Sequence, residues 1–254
     1  MSDLKESPII TIERRKAVTI IISAIILAVA LGGGLMKVGS GFAARTTDGI
    51  TVTGSAKTSA TADNAVWTLS VQENSAKVSD AVTRVGTSVV ALSKYLTAGG
   101  IPATGIQLGA VSTYSNAEYI NGNPTGRILS YNASRDVTVR SKDVRLIAKL
   151  SQGIGTLLQT GVNINNYGPQ YYVSVLPALR PQLLQEAMKD AQVRAIALTK
   201  AVGGTVGAVL SVKSGPFQVT TPDSTTTSDA GAYDTTTIDK TITATVSVTF
   251  KTKQ

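Results

Sequence analysis

The 254-residue chain contains no histidine and no cysteine, and aromatic residues make up only 5% of it. A disulfide, a thiol nucleophile, a metal site built from cysteine and histidine, and a Ser-His-Asp triad are therefore excluded. The Gly-x-Ser-x-Gly, Gly-x-x-x-x-Gly-Lys and Gly-x-Gly-x-x-Gly patterns are also missing. We therefore expect no catalytic residue, cofactor or metal, and a protein that acts by assembly or binding rather than as an enzyme.

Positive charge is in excess, with a formal net charge of +8, but four of the cations precede residue 17. From Thr46 onward the chain carries 18 cations and 13 anions. The densest later cluster, from Arg140 to Lys149, has no aromatic stacking platform beside it, so a solvated helix face is favoured over a phosphate-binding patch. We expect no nucleic-acid partner.

An uncharged, mainly apolar run extends from residue 17 to residue 35. Its helix would measure about 28 Å, close to the hydrocarbon thickness of about 30 Å. The run predicts a signal anchor in the lipid bilayer, with a removed signal peptide as the alternative. Because four cations precede the run and only Lys37 and Arg45 closely follow it, the positive-inside rule places residues 1–16 in the cytoplasm.

Three small residues, Ala24, Ala28 and Gly32, recur every four positions in this run and would share one helix face. Such a face allows two membrane helices to pack closely. The alternative is that alanine and glycine are simply common in membrane helices.

The sequence after the apolar run predicts a linker at 36–49, followed by one extracytoplasmic α+β domain at 50–254. Period-two alternation marks strands, and apolar stripes mark three helices at 78–96, 144–157 and 181–202. The predicted order is β-β-α-β-β-α-β-α-β-β, with a mixed or antiparallel sheet packed with about three helices. A Thr/Ser/Asp-rich loop at 214–237 separates the last two strands, and we hypothesise that it is a rim or pore element of an assembly.

Two groups of residues in this domain are candidates for an oligomer interface. Trp67, the only tryptophan, is either a core residue or an outward-facing anchor. Ala187, Ala191 and Ala195 lie on one stripe of the third helix and permit close packing against a sheet or a neighbouring subunit.

The strongest carboxylate candidates for chemistry are Asp63, Asp136, Asp143, Glu186 and Asp190. Glu186 and Asp190 are one turn apart on a predicted helix, where solvated surface charge is the favoured interpretation. Asp63 precedes a strand, where a short polar side chain typically caps a turn.

Several segments, in order, resemble the SIMPL domain family. They include residues 50–56 (ITVTGSA), 62–71 (ADNAVWTLSV), 96–101 (LTAGGI), 131–139 (YNASRDVTV), 161–163 (GVN) and 186–195 (EAMKDAQVRA). The chain departs from the family pattern at Ala62, Leu129 and the Gln107-Leu108 pair. The resemblance implies an α+β extracytoplasmic domain that can form large ring-like or channel-like homo-oligomers, with proposed stress-related roles and without established catalytic residues.

These observations together predict a single-pass inner-membrane protein of the bacterial cell envelope. Its N-terminus is cytoplasmic, and its main domain is a self-assembling structural module in the periplasm. The alternative is a periplasmic module that binds a small molecule, an envelope polymer or a protein partner. The sequence does not specify which protein or envelope partner that would be.

Overall fold

The computed structural model describes residues 49–226 and 228–253, which form the predicted α+β architecture. The predicted membrane run at 17–35, with Ala24, Ala28 and Gly32, lies outside the described residues. Within the part described, no helix is both long and apolar enough to cross a membrane.

Strands supply most of the regular structure. In chain order they are β1 (Gly49–Thr61), β2 (Asn64–Ser75), β3 (Ile106–Ile120), β4 (Asn123–Ser141), β5 (Ile164–Asn166), β6 (Gln170–Tyr172), β7 (Thr205–Ser214), β8 (Gln218–Thr220), β9 (Ala232–Tyr233) and β10 (Asp239–Lys253). The helices are α1 (Val78–Ala98), α2 (Val144–Gly153), α3 (Gly155–Leu158) and α4 (Leu176–Ala201), with a 3₁₀ turn at Ala103–Gly105.

The first sheet is centred on β10, the last strand of the chain. β1 pairs with it antiparallel, from Ile50 opposite Phe250 to Thr61 opposite Asp239. β7 and β8 pair with its other side, and β9 extends the sheet by a short parallel contact with β8. Apolar residues alternate with threonine and serine along β10, so the sheet buries one face under α4 and leaves the other polar.

The second sheet has the order β3-β4-β2-β5, with β6 also paired to β2. Asn121 and Gly122 connect β3 to β4 with φ angles of 50° and 81°. Positive φ at both central residues is the signature of a type I′ hairpin turn, which Asn-Gly favours. Helices α1, α2 and α3 contribute to the core of this half, which is separate from the core between the first sheet and α4.

Four details differ from the predicted elements. The strands form two separate five-stranded sheets instead of one, because β2 pairs with β4 and β1 pairs with β10. The second predicted helix ends at Gly153 and resumes at Gly155, because glycine is a poor helix former. The third predicted helix begins at Leu176 instead of residue 181. Pro177 lies in its first turn, where a backbone N–H would have no acceptor within the helix, so proline is tolerated there. The 214–237 loop is not structureless, because it contains the strands β8 and β9.

Candidate functional site

Trp67 lies inside the domain. It is 0% exposed on β2, and its indole Nε1 donates a hydrogen bond to Asn166 Oδ1 at 2.9 Å. Leu69 and Val71, which share its parity, are buried in the same core. Of the two roles that the sequence left open, core packing is therefore the one the fold uses, and another subunit cannot reach this side chain.

The three candidate alanines of α4, Ala187, Ala191 and Ala195, are also fully buried. They face the first sheet, and a Cβ added to Gly54 of β1 would overlap the backbone of Ala187 and Ala191. Small residues on both sides therefore let the helix lie very close to the strand. The partner of this alanine stripe is the sheet, so any subunit interface must use other residues.

The candidate carboxylates do not converge on one site. Asp190 Oδ2 accepts from the backbone N–H of Ser55 and from Arg194 Nε, both at 2.8 Å. The Ser55 N–H, followed by Arg194, lowers the pKa of Asp190. Glu186, one turn away, instead accepts from Gln182 at 2.9 Å.

Asp143 and Asp136, two further candidate carboxylates, also lie apart from the others. Asp143 caps α2 by accepting from the Leu146 N–H at 2.9 Å, and Asp136 is exposed on β4. No cluster of three or more potential metal-ligating His, Cys, Asp or Glu residues occurs among residues 49–226 and 228–253.

Asp63 connects the two halves of the domain. It lies between β1 and β2, and its carboxylate accepts from both the hydroxyl and the backbone N–H of Ser174, just before α4. These two bonds, the hydroxyl first, lower its pKa. A carboxylate held ionised in this way is a poor general acid at neutral pH, and its role here is to fix the connection.

A buried lysine holds the end of the Thr/Ser/Asp-rich loop. The side chain of Lys240 is 0% exposed and donates to the backbone oxygen of Asp234 at 2.6 Å and to its Oδ1 at 3.1 Å. Burial raises the pKa of Asp234, but hydrogen bonds from Thr237, Thr236 and Lys240 outweigh it and lower the pKa strongly. The ion pair therefore anchors this part of the loop to the start of β10.

The β3–β4 hairpin carries the first of two exposed apolar surfaces. Its outer strand, β3, pairs only with β4, so one edge of it is unpaired among the described residues. Seven large apolar residues of this hairpin are exposed, distributed over both of its faces, and together with the free edge we call them the hairpin surface: Leu108, Val111, Tyr114, Tyr119, Ile120, Ile128 and Leu129. Exposed apolar patches on a free strand edge are typical of contact sites.

The second surface lies on α4 and β7. We call it the helix-edge surface. Its exposed residues, which point to more than one side of the two elements, are Val193, Ile196 and Leu198 of α4, Val202 just after that helix, and Val209, Leu210 and Val212 of β7. A groove of about 500 Å³ runs between the helix and the strand, with Met188, Ile196 and Phe250 in its walls. Alternation along β10 predicts the buried face of this sheet but does not reveal that most of β7 is exposed.

Comparison with known proteins identifies the family. The SIMPL family, described as "Protein of unknown function (DUF541)", matches residues 50–250, about four fifths of the chain. No curated protein matches this chain.

A crystal structure from methicillin-resistant Staphylococcus aureus, of a protein provisionally named an aminohydrolase, is 16% identical and has a TM-score of 0.23. That similarity covers 56% of this chain and 37% of the other, and at this TM-score it carries no argument about fold or activity. The match over residues 50–250 places the chain in the SIMPL (DUF541) family.

Proposed function

We propose that this protein is an extracytoplasmic structural module that assembles with copies of itself, anchored in the inner membrane by residues 17–35. The observation that carries the assembly proposal is the hairpin surface. Its residue Tyr114 is 59% exposed, in the middle of a strand with a free edge. Burying such a surface against a second copy removes apolar area from water and satisfies the edge.

The β3 edge lacks the basic residues and proline that commonly prevent strand pairing, although it has bulges near Gly109 and Ala117 and the charge of Glu118. The segment from Ile106 to Ile120 contains no lysine, arginine or proline. Between its bulges, Val111 to Asn116 keeps a regular register with β4. By contrast, Asp190 and α4 cover part of the β1 edge at Ser55. An open edge of this length favours addition of a strand from another subunit.

The hairpin and helix-edge surfaces differ in shape and belong to different sheets. A contact between the hairpin surface of one copy and the helix-edge surface of the next would be heterologous. Such contacts close into rings when the rotation between neighbours permits, and otherwise extend into filaments. A ring, the closed form of such a contact, is the assembly that we propose.

Lysine substitutions on β3 test the role of the edge. In the full-length chain, Val111→Lys and Tyr114→Lys place charge on the proposed contact and are expected to reduce particle mass, because charged edges resist pairing. Val90→Lys is the matched control, since Val90 is an exposed valine of α1 outside both surfaces. Unchanged mass in both β3 variants, with the fold intact by circular dichroism, would remove β3 from the interface.

Mixing two variants tests whether the contact is heterologous. Tyr114→Lys disables the hairpin surface, and Val209→Lys disables the helix-edge surface. Each variant alone is expected to be monomeric, whereas an equimolar mixture should form dimers through its one intact pair of surfaces. If Val209→Lys alone still dimerises while Tyr114→Lys alone does not, and mixing adds no further dimer, the contact is instead a two-fold one between hairpin surfaces.

The membrane part of the proposal has its own test. With the topology that we propose, protease added to spheroplasts degrades the main domain and leaves an epitope tag placed before residue 17 protected. Extraction of the protein by alkaline carbonate, or degradation of the tag in intact spheroplasts, would contradict the anchor or its orientation.

A further inference from the structure

The outer face of the first sheet, away from α4, forms a cleft with the loop that follows β8, and most of its lining residues are threonine and serine. Thr53, Thr243 and Thr245 line its floor, and residues 224–226 and 228–229 form its wall. The cavity measures about 360 Å³. Small-molecule sites have volumes of about 300 to 1,000 Å³, so the cleft is large enough for a small solute.

Gln218 lies at the base of this cleft with an unsatisfied oxygen. It is 6% exposed, and its Nε2 donates to the backbone oxygen of Ser228 at 2.6 Å, which fixes the orientation of the amide. Its Oε1 is buried and has no hydrogen-bond partner among the described residues. Unpaired buried polar atoms are unfavourable and uncommon, so this oxygen would gain from a donor supplied by water or by a solute that enters the cleft.

Two opposite charges line the same cleft. Lys57 projects from β1, and Asp229 belongs to the loop. Neither side chain forms a hydrogen bond or an ion pair with another residue in the part of the chain that is described. A cation and an anion that line the same cleft without pairing with each other are suited to a ligand that carries both charges.

We propose that this cleft binds a small zwitterion of the α-amino acid class. The carboxylate pairs with Lys57 and the threonine hydroxyls, and the ammonium group lies towards Asp229 and Gln218 Oε1. No aromatic ring is among the described residues lining the cleft, so the stacking platform typical of a sugar site is missing. A simple anion would leave Asp229 unmatched, and a simple cation would leave Lys57 unmatched.

Calorimetric titration of the full-length chain tests the proposal with matched probes. L-alanine, D-alanine and L-glutamine carry both charges, whereas propionate, ethylamine and glucose carry one charge or none. Saturable binding of at least one amino acid is expected at ligand concentrations up to about 10 mM, with none for the other three probes. Absence of amino-acid binding in this range, or stronger binding of glucose or propionate, would overturn it.

Variants locate the binding. Lys57→Gln and Asp229→Asn each remove one charge-assisted contact and are expected to weaken the affinity by about tenfold or more. Lys251→Gln, elsewhere on the first sheet, and Asp223→Asn, elsewhere in the same loop, are the controls and should bind as the unmodified chain does. Equal affinity in all four variants would place the amino acid outside this cleft. The particle mass need not change in any of them, so this inference and the assembly proposal fail separately.

Discussion

Asp190 of α4 accepts a hydrogen bond from the backbone N–H of Ser55 at 2.8 Å and so covers one point on the outer edge of β1. The same carboxylate is held by Arg194 one turn further along the helix. A strand edge that is covered in this way is less available for pairing. The edge of β3 has no comparable cover among the described residues, and this asymmetry leads us to assign assembly to β3.

The Asp190 contact is expected to stabilise the fold. Asp190→Ala leaves the Ser55 N–H without its acceptor and should lower the free energy of unfolding by about 1 kcal/mol. Glu186→Ala is the control, because Glu186 contacts only a glutamine on the same helix and should change stability by less than about 0.5 kcal/mol. Urea unfolding followed by circular dichroism measures both, and equal effects would mean that the edge contact contributes nothing specific.

Close packing of α4 on β1 makes Gly54 sensitive to a single methyl group. Gly54→Ala forces the helix and strand apart and should destabilise the domain by about 1 to 3 kcal/mol. Gly86→Ala is the control, since Gly86 lies in α1 with nothing within 4 Å of an added Cβ. Because alanine is the better helix former, that control should gain up to about 1 kcal/mol. Thermal melts that shift equally in both variants would contradict the close approach at Gly54.

The buried pair of Lys240 and Asp234 should be costly to break from one side. Asp234→Asn leaves the Lys240 ammonium buried beside a neutral amide and is expected to cost about 3 kcal/mol. Adding Lys240→Met to that variant removes the buried charge and should recover part of the loss. If the double variant is less stable than Asp234→Asn alone, the lysine is held by contacts other than this ion pair.

Acid stability should depend on Asp63. Its pKa in the folded protein is below its ordinary value of 3.8, so the unfolded chain binds the proton more readily. The stabilisation is therefore fully present above that value and is lost as the pH falls through the lower, folded-state pKa. Asp63→Asn should reduce the slope of this limb of a plot of unfolding free energy against pH, to which Asp190 and Asp234 also contribute, whereas Asp136→Asn, at an exposed site on β4, should leave it unchanged.

Local sequence signals predicted a helix, strand or turn correctly where a single effect, either backbone preference or apolar periodicity, determined it. The Asn121-Gly122 turn, the stripe of α1 and the alternation of β10 all follow from backbone preference and apolar period. The start of α4 was displaced because Pro177, and not Pro181, occupies its first turn. Proline is common in the first turn of a helix and unfavourable inside one, so the pattern favoured a start at Pro181, whereas the helix contains Pro181 in its interior.

The surfaces were harder to predict than the elements. Ala187 and Trp67 are residue types that often occur in interfaces. In the structure both lie in the interior, where Ala187 packs against Gly54 and Trp67 donates a hydrogen bond to Asn166. The exposure of Tyr114 depends on β3 being at the sheet edge, which strand order determines and periodicity does not. Gln218 and Lys57 meet at one cleft only because β8 and β1 lie on opposite sides of β10.

The measurement that most directly tests self-assembly is the mass of the detergent-solubilised, full-length protein over a range of concentrations. The chain has a mass of 26.3 kDa. Our account predicts a discrete particle whose protein mass is a fixed multiple of that value, reduced in the Tyr114→Lys variant and kept in the Val90→Lys variant. A single 26.3 kDa protomer at every concentration would contradict it.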